Sequence, residues 1–160
     1  MDTPDPARFD IANRLFLRLY QASNLMHKTG TRAVAGYGAT TQQWAVLGAL
    51  SRPGARQAGM TVKELMGFLM VSRQALSAVL DRLETHGLLE RLRSPGQDGR
   101  LRHVRLTAAG EAQWAAMRGD IQRYYAQALA SFSTEDCVQL YRLLDRLRGS
   151  LDAIAGAETE

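Results

Sequence analysis

The sequence predicts a mainly α-helical protein with one small β-hairpin, arranged as a winged helix-turn-helix flanked by a helical dimerisation region. Three observations carry this prediction: apolar residues recur at three- and four-residue steps, capping residues precede the helical segments, and two short alternating segments flank a turn-rich loop. The predicted element order is α-α-α-α-β-β-α-α. We expect one domain over residues 1–160, with the winged helix-turn-helix lobe at 41–107 and dimerisation helices at 8–36 and 108–154.

The first two helices are predicted from apolar spacing and from the residues that stop them. A helical pattern covers about 8–35 and ends at Gly36 and Gly38. Thr41 is the expected N-cap of the second helix, which ends near Pro53, and residues 52–59 are expected to form a loop.

The next two helices carry clear start signals. Thr61 and Glu64 form a Thr-x-x-Glu capping box that begins the third helix. Ser72 is a good N-cap for the fourth helix, and Gly87 ends it. The residues of the fourth helix expected to face the core are Val71, Ala75, Leu76, Val79, Leu80 and Leu83.

Two strands and two long helices complete the pattern. The strands are expected at about 88–93 and 101–106, joined by a loop at 94–100. Thr107 caps a fifth helix that runs to about residue 131, and Ser133 or Thr134 caps a sixth. The first, fifth and sixth helices are too long and too apolar for a monomer of this size to cover, so we expect a homodimer.

Charge distribution points to nucleic acid. The net charge is only +4, but residues 88–105 carry five arginines against Glu90 and Asp98, a net charge of +3. Arginine suits bidentate contacts to phosphate and guanine. The single cysteine, the acidic N-terminus without an apolar core, and the lack of a long apolar run favour a cytoplasmic protein without a membrane segment.

The candidate DNA-binding residues lie in two places. The N-terminal part of the second helix of a helix-turn-helix meets base edges, and here that part holds Ser72, Arg73, Gln74 and Ser77. The polar face continues to Arg82. In the wing, Arg100 is the best candidate for the minor groove, with Asp98 placed to orient Arg100 or Arg102 through an ion pair.

These motifs together resemble the MarR family of dimeric winged-helix transcription regulators. The resemblance covers about 8–154 and rests on Val71-Ser72-Arg73, Leu80-Asp81-Arg82-Leu83-Glu84, Gly87-Leu88-Leu89-Glu90-Arg91, Asp98-x-Arg100 and Val104-Arg105-Leu106-Thr107-x-x-Gly110. It implies a homodimer on a pseudo-palindromic double-stranded DNA operator, and a small-molecule pocket between the dimerisation helices and the DNA-binding lobe. Two positions depart from the family pattern: Gly99 stands where the wing usually has arginine, and Met70 where the turn usually has glycine.

The resemblance also suggests the effector. Relatives that sense aromatic acids use an arginine of the first helix, and Arg18 matches best here, with Arg14 on the same side of the helix. Ser23, His27 and Trp44 are the candidate pocket walls. The expected function is therefore a repressor that a small anionic, aromatic effector releases from DNA.

Three other classes of protein compete with this prediction. An enzyme is disfavoured because the three histidines are scattered and no nucleophile–base pattern or phosphate loop occurs, so we expect no metal and no cofactor. A winged-helix module that binds protein without specific DNA recognition remains open. A redox-responsive regulator also remains open, although the family's peroxide sensors carry their cysteine in the first helix, whereas Cys137 lies in the sixth and is expected to be a packing residue.

Overall fold

The fold was analysed in a computed structural model, which describes residues 5–93 and 102–157. Within these residues seven α-helices, one short 3-10 helix and three strands form. The elements are α1 (Pro6–Ala33), a 3-10 turn (Ala35–Tyr37), α2 (Thr41–Leu50), α3 (Pro53–Ala58), β1 (Met60–Thr61), α4 (Val62–Leu69), α5 (Arg73–Thr85), β2 (Leu89–Arg93), β3 (Arg102–Leu106), α6 (Ala108–Ala128) and α7 (Thr134–Ala157).

The predicted fold class is confirmed, but the segment expected to be a loop at 52–59 contains helix α3. Pro53 stands at its first position, where the fixed φ of proline suits a helix and its missing N–H costs nothing. Gly59 ends α3 at φ 72°, and an added Cβ there would lie 2.8 Å from the Val104 carbonyl oxygen. Proline and glycine at 53 and 59 favour a loop by sequence pattern, but in the structure they mark the two ends of a short helix.

The sheet has three antiparallel strands in the order β1-β3-β2, one more than the hairpin predicted. In β1, Met60 pairs with Val104 and Thr61 with His103. A two-residue strand has no alternation of its own, so periodicity could not reveal it. The pairing fixes the start of α4 against the hairpin.

Helix α2 begins one residue earlier than expected, because its N-cap is Thr40 and not Thr41. The Thr40 hydroxyl accepts from the Gln43 amide at 3.3 Å, and Gln43 Oε1 accepts from the Thr40 amide at 2.9 Å. This reciprocal capping box explains how Gln43, only 5% exposed, can be buried as a polar residue. In the sequence, the glutamine three residues after Thr40 is the pattern that indicates this capping box.

The turn between α4 and α5 contains a strained residue. The predicted capping box is confirmed, since the Thr61 hydroxyl accepts from the Glu64 amide at 3.2 Å and Glu64 Oε2 accepts from the Thr61 amide at 2.7 Å. Met70 ends α4 in the left-handed region at φ 54°, which costs roughly 1–2 kcal/mol for a residue with a side chain. Ser72 then caps α5 as predicted.

Most of the core lies in the lobe from α2 to β3, and Val34, Ala39, Met117 and Ile121 join it from outside the lobe. In α5 its stripe is Leu76, Leu80 and Leu83, each at most 2% exposed. Ala75 and Val71 were expected to face this core and do not, because both are exposed. Leu76, Leu80 and Leu83 lie on one face of α5 because they are spaced four and three residues apart. Ala75 is turned about 100° from Leu76 around the helix axis, so it lies off that face.

The last two helices begin at predicted caps. The Gly110 amide donates to the Thr107 hydroxyl at 3.1 Å, and an added Cβ on Gly110 would overlap the Leu88 carbonyl oxygen, so this position requires glycine. Ser133, rather than Thr134, caps α7 by accepting from the Asp136 amide at 3.1 Å. The chain divides into two compact units, Met1–Ile121 and Gln122–Glu160. Across the described residues, no helix combines the length and the apolar character needed to cross a bilayer.

Candidate nucleic-acid interface

Helix α5 presents a polar face opposite its buried leucines. Arg73, Gln74, Ser77 and Arg82 are all exposed. Their side chains make no hydrogen bond or ion pair to another residue that the structure describes. All four predicted DNA contacts are thus exposed with their donors unused. Gln74 lies on the side away from the leucines, and Arg73 and Arg82, nine residues apart, lie on opposite sides of the helix.

The N-terminus of α5 adds further donors. The Ser72 hydroxyl accepts from the Ala75 amide at 3.2 Å, which leaves the hydroxyl proton free to donate outward. The amides of the first helical residues have no carbonyl four positions back within the helix, and a helix N-terminus attracts anions. Ser72 therefore combines capping with the geometry of a phosphate contact.

Two carboxylates on α5 share one arginine of a neighbouring strand. Arg91 of β2 contacts Asp81 through Nη2 at 2.5 Å and Glu84 through Nη1 at 3.3 Å. The Arg91 side chain is only 22% exposed, and its buried Nε has no hydrogen-bond partner among the described residues. The sequence does not reveal this pairing, because no spacing rule relates a helix to a later strand.

A second strand arginine is also paired. Arg105 of β3 stands opposite Glu90 of β2, and its Nη2 lies 2.6 Å from Glu90 Oε1. The hairpin register would have revealed this cross-strand pair. The net positive charge of this segment therefore depends on its other arginines. The predicted wing residues Asp98 and Arg100, and the side chain of Arg102, lie outside the described residues.

The predicted effector residues form two groups: Arg14 and Arg18 lie on α1, and Ser23, His27 and Trp44 lie on the later part of α1 and on α2. Arg14 pairs with Asp10 at 3.0 Å, and Arg18 Nη1 donates to Gln21 Oε1 at 2.8 Å. Both contacts are solvent-exposed interactions within the same helix. Arg14 and Arg18 share one side of α1, as expected from their spacing.

The second group lies at the other end of α1. His27 Nδ1 is 2.8 Å from Thr41 Oγ1, at the first turn of α2. Trp44, one turn further along α2, is partly buried against the core. Ser23 is exposed one turn before His27. Arg18 is nine residues from His27, which places it about 13 Å away along the axis and roughly 180° around it.

A tyrosine that the sequence did not single out ties the turn after α1 to helix α6. The Tyr37 hydroxyl donates to Asp120 Oδ2 at 2.6 Å and lies 3.0 Å from the Ala116 carbonyl oxygen. The contact joins positions 83 residues apart. Neither residue belongs to a local motif, so no signal in the sequence indicated it.

Cys137 is half-buried near the start of α7. The neighbouring Asp136 carboxylate accepts from the Ser133 hydroxyl at 2.6 Å and from the Ser133 amide at 2.9 Å. These hydrogen bonds, the hydroxyl first, hold the pKa of Asp136 below its ordinary value. Over residues 5–93 and 102–157 no group of three or more His, Cys, Asp or Glu side chains converges as a metal site would require.

A helix-turn-helix whose second helix bears an exposed polar face, followed by a β-hairpin, defines the winged-helix class of DNA-binding proteins. The sequence model described as the MarR family matches residues 37–101. A transcriptional activatory protein of Rhodopseudomonas palustris, BadR, is 43% identical over 97% of this chain and 90% of its own length. The chain belongs to the MarR family and is a DNA-binding transcriptional regulator, not an enzyme.

Two further proteins show the same relationship. The homoprotocatechuate degradative operon repressor of Escherichia coli is 30% identical over 82% of this chain and 85% of its own length. The crystal structure of a mutant Escherichia coli MarR complexed with operator DNA matches with a TM-score of 0.75 and 25% identity. That match covers 87% of this chain and 96% of the other.

Proposed function

We propose that this regulator is a homodimeric repressor that binds a pseudo-palindromic operator and is released by a small anionic, aromatic effector. The observation that carries the DNA-binding part is the exposed face of α5, where Arg73, Gln74 and Ser77 keep unused donors. Arg91 also forms ion pairs with Asp81 and Glu84, which reduces the negative charge beside that face. A recognition helix on which one of two carboxylate charges is offset repels the phosphates that line a groove less strongly.

The roles on DNA follow from the donor groups. Arg73 would take guanine O6 and N7, and Gln74 would take adenine N6 and N7, since both pairings are bidentate. Ser72, Ser77 and Arg82 would hold phosphates or base edges. The wing residues Asp98, Arg100 and Arg102 remain proposed on their sequence pattern, with Arg100 in the minor groove.

The proposed dimer accounts for the apolar surface of α1. Eight large apolar side chains of α1 are about half exposed or more, and they point in all directions around the helix. Large apolar side chains that stay exposed on several sides of a long helix favour packing against other helices. The eight are Phe9, Ile11, Leu15, Phe16, Leu17, Tyr20, Leu25 and Met26. A two-fold dimer would set the two α5 helices about 34–36 Å apart, one turn of DNA.

The proposed effector site uses both groups on α1. Arg14 and Arg18 would clamp a carboxylate, because guanidinium groups bind carboxylates in a bidentate way. Ser23, His27 and Trp44 would contact the aromatic ring and its substituents. Because Arg18 and His27 face opposite sides of α1, one ligand cannot bridge them within this helix, and each group needs its own test. The name of the Escherichia coli relative, a repressor of an aromatic-acid degradation operon, supports the aromatic class.

Release from DNA would arise from differential affinity. An effector can shift the dimer toward a spacing of the recognition helices that does not match the operator only as far as it binds that state more tightly. A ligand bound equally well by both states would leave operator affinity unchanged.

The deciding experiment is operator binding across a salt series, repeated with a panel of aromatic carboxylates. The expected log affinity falls with log salt with a slope of about −0.9 for each phosphate neutralised, and one compound releases the DNA. Arg18→Ala and His27→Ala then separate the two parts of the pocket. Binding that ignores every compound contradicts the effector proposal, and a lack of specific binding at low salt favours a protein-binding module.

Activation is the second candidate, and the 43% identical relative favours it because that protein is named an activatory protein. The fold serves both outcomes, since the position of the operator relative to the promoter decides whether bound protein blocks or assists transcription. A reporter gene behind the bound promoter distinguishes them. Deleting the regulator raises expression if it represses and lowers expression if it activates.

A further inference from the structure

Ala78 occupies the centre of the exposed face of α5. It stands two residues after Leu76 and two before Leu80, both at most 2% exposed, so it points directly away from the core. Ala78 itself is exposed. Gln74 lies one turn earlier on the same side, about 6 Å along the axis. The middle of the recognition surface is therefore a glutamine amide followed by a bare methyl group.

The negative charge nearest to Ala78 is partly compensated. Asp81, the nearest carboxylate on the same side, is held by Arg91 of β2 at 2.5 Å. Arg73 and Arg82 lie to either side of the Gln74–Ala78 line on the helical wheel, where they suit phosphates or flanking base edges. A small apolar residue at the central position lets the helix backbone approach the base pairs closely, which a longer side chain would prevent.

We propose that Ala78 reads the C5-methyl group of a thymine in the major groove, one or two base pairs from an adenine held by Gln74. This inference rests on the proposed sequence-specific DNA binding and adds a specificity-determining residue to it. The thymine methyl is the one apolar group that the four bases present in this groove, and alanine is a suitable partner for it. The 6 Å step between Gln74 and Ala78 corresponds to about two stacked bases at 3.4 Å each.

The test begins by selecting preferred sites from random DNA with the full-length dimer. Deoxyuridine then replaces each thymine of the selected site in turn, which removes only the methyl group. At one thymine position per half-site, replacement in a single half-site is expected to weaken protein binding about fourfold, which corresponds to the free energy of burying one methyl group. Replacement in both half-sites should weaken binding about 15-fold. Because deoxyuridine pairs like thymine, this loss measures the methyl contact alone.

The matched variants are Ala78→Gly and Ala45→Gly, since Ala45 is an exposed alanine of α2 and carries the same cost of glycine in a helix. The loss on deoxyuridine substitution should persist in Ala45→Gly and fall below about 1.5-fold in Ala78→Gly. Ala78→Ser, which keeps the helix propensity closer to alanine, should behave like Ala78→Gly.

Two results would overturn the inference while leaving DNA binding intact. Either no thymine in the selected site responds to deoxyuridine, or the response is as large in Ala78→Gly as in the unmodified protein. If the random pool yields no preferred sequence at all, sequence-specific recognition itself is wrong, and the role of Ala78 falls with it.

Discussion

The lobe from α2 to β3 and helix α1 use their apolar residues in opposite ways. In the lobe, Leu47, Leu65 and Leu80 are at most 1% exposed, so one chain closes its own core. In α1, Leu15 and Phe16 remain 49% and 50% exposed, although the helix is 28 residues long. The first region is stabilised by contacts within the chain, whereas the second is suited to contacts that a second chain supplies. The stability of the lobe should therefore not depend on protein concentration, and the state of α1 should.

The largest expected effect is on the lobe. Leu80→Ala removes a side chain that is 1% exposed and leaves a cavity, which should lower the free energy of unfolding by about 2–5 kcal/mol. Chemical denaturation at two protein concentrations measures this loss. The loss should be the same at both concentrations, since Leu80 packs within its own chain.

Leu144→Ala on α7 is the control, because the same change is made at a side chain that is 41% exposed. It should lower stability by a smaller amount, and that amount should grow at the higher protein concentration. Equal, concentration-independent losses for both variants would break the contrast between self-contained and shared apolar surface.

The next effect concerns dimer formation. Phe16→Ala removes an aromatic ring that is half exposed in the single chain, and the symmetric dimer loses it twice. The dimer dissociation constant should rise by about 30-fold or more, which corresponds to roughly 2 kcal/mol. Sedimentation equilibrium over a range of concentrations gives the constant directly.

Arg8→Ala provides a matched truncation on the same helix at an exposed cationic residue. It should change the dissociation constant by less than about threefold, as single surface positions usually do. A Phe16→Ala protein that dimerises as tightly as the unmodified chain would place the dimer interface elsewhere.

The contrast also explains which features the sequence predicted. Caps such as Thr61 with Glu64, and Ser72, are local, so four residues suffice to recognise them. The stripe Leu76, Leu80 and Leu83 follows from the helical period. The Tyr37–Asp120 hydrogen bond had no such signal, because it joins residues 83 positions apart. Strand β1 had none because its two residues are too few to show an alternation.

The candidate site was predictable to a similar degree. The position of Arg73 and Gln74 at the start of a recognition helix follows from the helix-turn-helix pattern. The pairing of Arg91 with Asp81 and Glu84 depends on how β2 packs beside α5, which only the folded structure provides. A count of arginines in the hairpin therefore overstated the charge available to DNA, because pairing with carboxylates removed two of them.

A smaller effect is expected when that pairing is broken. Arg91→Gln leaves the carboxylates of Asp81 and Glu84 unpaired beside the proposed DNA surface, where they would repel phosphates. Operator affinity should fall about tenfold at low salt, and the fall should shrink as salt increases. Fluorescence anisotropy with labelled operator measures both.

Restoring the original net charge of the Arg91, Asp81 and Glu84 cluster separates repulsion from a structural cause. The double variant Arg91→Gln with Asp81→Asn should recover most of the lost affinity, because the added amide carries no charge. If the double variant binds as weakly as Arg91→Gln alone, the arginine acts by holding β2 and α5 together and not by cancelling charge.

The smallest effect is the pH dependence of an ion pair between α3 and α6. Arg56 of α3 forms a bidentate pair with Glu111 of α6, with Nε–Oε1 at 2.7 Å and Nη2–Oε2 at 2.6 Å. This hydrogen bonding holds the pKa of Glu111 below its ordinary value. Because the folded-state pKa is lower than the unfolded one, the pair stabilises the fold above about pH 4.5, and that contribution is lost as the pH falls through the folded-state pKa. The Arg56 side chain is exposed and that of Glu111 is partly exposed, so solvent screening keeps the contribution small.

Glu111→Gln removes this dependence while keeping the shape of the side chain. Unfolding free energies of the variant and the unmodified protein should differ slightly at neutral pH and converge in acid, as the glutamate becomes protonated. A difference that stays constant from neutral pH to acid would mean that Glu111 contributes through packing. The effect should also be independent of protein concentration, since Arg56 and Glu111 belong to the same chain, in contrast with every substitution in the apolar surface of α1.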